Sequence, residues 1–350
     1  IRRPSVMSSL WKFSHSQDGL SVPPLSPAAY LFSNRLCVVR RPNRDASSLH
    51  DCSIFYATRN TVNEIQLPAV NDASDPKPLG DLTEHVADCS SKTICSLSEN
   101  SEIQHGCTSS NPGTVHFIND VMEIACFSWS DSNGWTSEYI KPKRRIPGGW
   151  CGVSSYDNML ASASYLGKTI SIHENRQLVR EMQTIGNVSQ ISHHKNTGLV
   201  MATEAQQLCL WDHRAHCPLV SRLPAVPAMI TALACHGDGA LVGLTGTDHV
   251  VTVYDPRKWS VLHHWRAPLK YEAAFLELSL QAANLACFAA GSDSQLVYGH
   301  IATKEKKTCG FQADSRWMGL SKVPDCEMAV GITESGGVYA LGIGKGEDVS

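Results

Sequence analysis

Charge is scarce in this chain. Asp, Glu, Lys and Arg supply only 18% of its 350 residues, and the formal net charge is -3. So little charge excludes a disordered chain or an extended coiled coil. The near balance of signs removes any global pull toward nucleic acid or anionic lipid. Long apolar runs are missing too: the longest weakly polar stretch, Leu280 to Ala290, falls well short of a membrane span. Helical periodicity is almost absent, and only Val179 to Gln183 reads as a turn of helix. No secretory leader is visible, although a chain opening at Ile1 leaves an upstream segment and its targeting open. Thirteen cysteines occur, but none as C-x-x-C, and the nearest pair, Cys89 and Cys95, is six residues apart. Reduced thiols in the cytoplasm or nucleus are the expectation.

Catalytic and cofactor signatures are likewise wanting. There is no G-x-S-x-G, P-loop, H-E-x-x-H or post-strand G-x-G-x-x-G. Gly342-Ile343-Gly344-Lys345-Gly346 has a phosphate-loop look, but no helix pattern follows, so 344–350 reads as a flexible tail. The expectation is a non-enzyme without cofactor, metal or small-molecule substrate.

What is present is a rhythm. Thr245-Gly246-Thr247-Asp248 leads into Val250-Val251-Thr252-Val253-Tyr254-Asp255, a small-residue strand end turning into a β-branched strand. Similar designs surround His173, Trp211, Tyr298 and Tyr339. From His173 the successive intervals are 38, 43, 44 and 41 residues, and Trp129 lies 44 residues before His173. Intervals of this size match one four-stranded blade each. A lone four-stranded sheet leaves both faces wet, whereas radial packing buries them and ring closure protects the edges.

The expected fold is therefore all-β, a β-propeller of four-stranded antiparallel blades, seven in number. Their expected extents are 29–68, 82–131, 149–176, 186–216, 228–260, 272–303 and 315–343. One propeller then occupies 29–343, after an N-terminal segment 1–28 in which Val6 to Phe13 supplies a closing strand. The first 150 residues follow the rhythm less well. Ser53–Thr58 and Thr61–Leu67 read as a hairpin in the outer half of blade one, with long loops at Ala69–Pro78 and Asp88–Ser110.

Trp211-Asp212-His213-Arg214 and Tyr254-Asp255-Pro256-Arg257 resemble the ends of WD repeats, 43 residues apart. The resemblance covers about 150–343 well and 29–131 weakly. It departs from the family in lacking the Gly-His that often opens a repeat, and in having one true Trp-Asp. The resemblance implies a scaffold that binds other proteins within a larger assembly. It also implies an alternative: in WD-repeat substrate receptors of cullin-RING ubiquitin ligases, arginines resembling Arg214 and Arg257 face the adaptor.

Candidate contact residues are Arg214, Arg257, Trp259 and Trp265, as exposed anchors. Lys141, Lys143, Arg144 and Arg145 form one basic loop, which reads first as a solvated loop and second as an import signal or phosphate contact; nucleic acid is not expected to bind elsewhere. Cys209, His213, His216 and Cys217 are metal-type ligands close in sequence, but a strand followed by a turn does not bring them to one point. The doublets His193-His194 and His263-His264 are equally unpromising, because adjacent strand residues point to opposite faces. A propeller enzyme, the remaining class, needs acids and histidines converging on the central channel.

Overall fold

The computed structural model describes residues 7–15, 33–42, 52–66, 77–79, 82–142, 149–224, 229–236, 239–266, 268–281, 284–301, 308–324 and 328–343. It is a seven-bladed propeller, all β, with no α-helix among the described residues. Blades are numbered along the chain, and strands within a blade from the axis outward.

The innermost strands are Leu36–Arg40, Ile103–Thr108, Cys151–Tyr156, Val188–His194, Ile230–Cys235, Ala273–Gln281 and Trp317–Lys322. Each packs beside the next, and Trp317–Lys322 returns to Leu36–Arg40, which closes the ring. The second and third strands are buried on both faces, as in Leu199–Glu204 and Val250–Asp255, because each blade is sandwiched between two others. Seven apolar clusters fill the blades and the gaps between them, joining for example Trp150 to Trp211 and Val253 to Leu278. The spaced residues Trp129, His173, Trp211, Tyr254, Tyr298 and Tyr339 all fall in third strands.

Fourth strands behave differently. Gln177–Gln183 alternates in burial, one face packed and one wet, so Val179 to Gln183 is strand and not a helical turn. Residues 219–224, 260–266 and 308–312 complete blades four to six in the same way, so each of these blades runs further than the periodicity implies. Fourth strands carry weaker sequence signals because only half of each is buried. In blades three to five, Val179, Val220 and Leu262 are extra, unpaired residues in these outer strands. Such bulges spoil an exposed edge as a template for further pairing.

Blades one and seven are stitched together. Met7–His15 pairs antiparallel with Val338–Ile343 and thereby becomes the fourth strand of blade seven. On its other side it pairs in parallel with the first half of Leu82–Ser96. The second half of that 15-residue strand pairs with Thr61–Gln66 as the fourth strand of blade one. A nine-stranded sheet results. Three expectations are corrected here. Asp88–Ser110 is mostly strand, not a long loop, because its serines and cysteines pair along two blade edges. Blade two spans 103–140, since 82–96 belongs to the seam. The hairpin Cys52–Thr58 and Thr61–Gln66 occupies the middle of blade one, with Leu36–Arg40 inside it. The stretch from Ala69 lies outside the described residues, apart from the short strand Lys77–Leu79.

Candidate functional site

Antiparallel strands put the turns joining first to second and third to fourth strands on one face of the ring. The remaining turns and the links between blades lie on the other. Arg214 and Arg257 both follow third strands, so they share the first face. Their pairing with the turn's own aspartate is the same, and Arg214 Nη2 also donates to the Thr197 carbonyl at 3.2 Å. The Oδ1 of Asp212 accepts the amide of Arg214 at 3.0 Å and its Nε at 2.8 Å, and Oδ2 accepts Nη2 at 3.1 Å. Asp255 does likewise for Arg257 at 2.9, 3.0 and 2.9 Å. Hydrogen bonds from the arginines hold both carboxyls below the usual carboxylate range. Each guanidinium is thus fixed by its own turn yet stays in water, with side-chain exposures of 59% and 86%. Arg180 of blade three stiffens the first turn by donating to the carbonyls of His213, Ala215 and His216.

The other candidates fare unequally. Trp265 is 3% exposed and cannot be a surface anchor. Its indole lies over Gly299 of blade six, where a β-carbon would stand 2.6 Å from the ring. Strand alternation turned it inward, between blades five and six. Trp259 is half-buried, with a left-handed backbone and its ring centroid 5.8 Å from that of His194. Lys141 is exposed, whereas Lys143, Arg144 and Arg145 lie outside the described residues. Cys209 is buried in its strand while His216 and Cys217 are exposed beyond the turn. No three His, Cys, Asp or Glu gather at a metal-binding spacing among the described residues.

The doublet His193-His194 does point two ways, but neither ring faces bulk water. His193 meets the Ser154 hydroxyl at 3.1 Å, and His194 meets Thr197 and the Gly239 carbonyl. His193 lines the central channel with His105, Gln190, Cys37, Cys107 and Glu277, around a hollow of about 250 Å³. Burial pushes His105 and His193 down to about 4, so both are neutral at pH 7. Glu277 goes the other way, pushed up to about 7 by burial and held back by the Lys322 charge. Sequence reasoning missed this group, although a lone carboxylate in the mostly apolar strand Ala273–Gln281 was its signal. Each imidazole is engaged with a neighbouring strand through Nδ1: His105 accepts the amide of Val153, and His193 meets Ser154.

No family model matches the chain, and no curated protein matches it. Solved structures do: 1587 of their chains resemble this one, so the likeness identifies an architecture and singles out no partner. Among them is a chain in the crystal structure of a mitotic checkpoint complex. It has a TM-score of 0.65 and 12% identity, covering 93% of this chain and 100% of its own. At that identity the likeness shows the propeller fold alone.

Proposed function

We propose that this propeller is a non-catalytic, WD-repeat-type platform that binds proteins within a larger assembly in the cytoplasm or nucleus. The observation that carries the reading is the pair of matching Asp-x-Arg turns on one face of adjacent blades. Each presents an exposed guanidinium already fixed in place, and a preorganised arginine is well suited to directed hydrogen bonding at a protein surface. The structural neighbour comes from a protein complex, which agrees with that role. Trp211 departs from the family's polar network, because its buried indole N–H has no acceptor among the described residues. The topology survives without it.

The test is affinity purification with mass spectrometry, comparing wild type with Arg214→Ala/Arg257→Ala. A platform gives a reproducible set of co-purifying proteins that the folded double variant loses in part. A chain that purifies alone, or turns over a substrate, overturns the reading. The same two arginines favour one narrower role, a cullin-RING substrate receptor that meets its adaptor through them. Unchanged adaptor capture by the double variant ends that idea.

A further inference from the structure

The face opposite the arginine turns carries a groove over blade four. Tyr165, Ile185, Glu204, Gln206, Arg222 and Met229 line a hollow of about 580 Å³, between the link into blade four and Met229 at the entry to blade five. Ile185 is 70% exposed, more than any other large hydrophobic among the described residues, and Met229 is also exposed.

A slack loop would explain such exposure, but this backbone is tied down. The Oε2 of Glu204 accepts the amides of Ile185 at 3.1 Å and Gly186 at 2.8 Å. The Thr184 hydroxyl donates to the Gly186 carbonyl at 2.8 Å. On the other link, the Met229 carbonyl accepts the amide of Thr247 at 3.0 Å, and Ile230 donates to the Ala205 carbonyl at 3.2 Å. Two aliphatic side chains in water on a fixed backbone lose little further freedom on contact, which favours binding.

Charge then selects the occupant. Glu204 is 2% exposed and turned toward the amides, so its carboxylate is not offered to solvent. Arg222 is 28% exposed and its ion pair with Glu204 is long at 3.4 Å, so part of its guanidinium still faces the groove. Exposed Lys168 stands on the neighbouring turn of blade three, its carbonyl accepting the amide of Thr184. Asp248, on the turn beside Met229, is engaged with the amide of Val250. The lining is therefore apolar and neutral-polar, with Arg222 as the lining residue that offers charge to solvent.

We propose that this groove docks an extended acidic segment of a partner protein, with one aliphatic side chain between Ile185 and Met229 and an Asp or Glu beside Arg222. The proposal rests on the platform reading but uses the other face.

The test is selection from a displayed random peptide library on the full chain, followed by fluorescence anisotropy with the selected peptides. The selected pool should pair an aliphatic residue with a nearby Asp or Glu. Ile185→Ser, at an exposed position, should weaken those peptides at least about tenfold without moving the thermal midpoint. Arg222→Gln should erase the preference for acid, and Arg222→Lys should keep it. Arg214→Ala/Arg257→Ala should bind the peptides as wild type does, so failure of the arginine face and failure of the groove read out separately. No enrichment, basic or purely apolar peptides, binding indifferent to Ile185→Ser, or a dimer that Ile185→Ser dissolves would each overturn the proposal.

Discussion

Blades three to six and the pair formed by blades one and seven solve the same problem in opposite ways. Each of the former is four consecutive strands, 33 to 40 residues long, whose pairings are all local. The latter share a sheet in which residues 7–15 join residues 338–343 and 82–89. Local pairings form at low entropic cost, whereas joining the two ends of a chain carries the full closure penalty. The contiguous blades supply the bulk of the core, and the stitched pair joins the two ends of the seven-blade series into a ring.

The most severe way to break that contrast is to delete residues 1–15. Blade seven would lose its fourth strand, and the first half of Leu82–Ser96 would lose its parallel partner. The expected loss is on the order of 5 kcal/mol or more, the lost pairings adding up with the opened closure. Thermal denaturation and size-exclusion chromatography would check it: an early separate transition and self-association through exposed edges are expected. An unchanged melt would show that the stitching is ornamental.

A substitution in the contiguous half should cost less and leave one transition. Trp265→Ala removes the indole filling the gap between blades five and six at Gly299, with an expected loss of roughly 3–5 kcal/mol. Denaturant unfolding should show a lower midpoint with the slope retained, because the ring stays closed.

How far the sequence could be read follows the same divide. Third strands, buried on both faces and carrying an aromatic or histidine at regular spacing, announced themselves from Trp129 to Tyr339. Fourth strands such as Gln177–Gln183 did not, since half of their residues face water and a short amphipathic run suits helix or strand alike. Leu82–Ser96 was illegible for another reason: its polar side chains say nothing about pairing with residues 70 or more positions earlier in the chain. Arg214 and Arg257 were visible because the Asp-x-Arg turn is local chemistry. Trp265 misled because period and composition do not tell which way an outer-strand side chain points. Ile185 gave no signal at all, for its exposure depends on Glu204, 19 residues away.

Glu277 sits where the two halves meet, on blade six against Lys322 of blade seven. An acid raised from 4.5 to about 7 is held in the protonated form by folding, so its contribution is intact below pH 4.5 and is lost as pH rises through 7. Glu277→Gln should match wild type near pH 4.5 and exceed it by roughly 1–3 kcal/mol at pH 8, the partial exposure of Glu277 reducing the effect. The channel histidines run in reverse. His105 and His193, lowered from 6.5 to about 4, support the fold fully above 6.5 and cease to as pH falls toward 4. Urea unfolding at pH 5 and 8 separates the two: equal gains from Glu277→Gln at both would deny the linkage.

The finest distinction concerns two indoles. Trp317, in the stitched blade, donates its N–H to the Ser294 carbonyl at 3.0 Å, whereas the buried N–H of Trp211, in a contiguous blade, has no acceptor among the described residues. Phenylalanine would remove a satisfied donor in the first case and an unsatisfied one in the second. Both variants lose some packing, but only Trp211→Phe recovers a desolvation cost already present in the native state. Trp211→Phe should therefore fall within about 1 kcal/mol of wild type, and Trp317→Phe should cost about 1 kcal/mol more than that. The reverse order, measured by chemical denaturation, would mean that Trp211 has an acceptor in solution and that the Trp-Asp strand end keeps the polar network of the repeats it resembles.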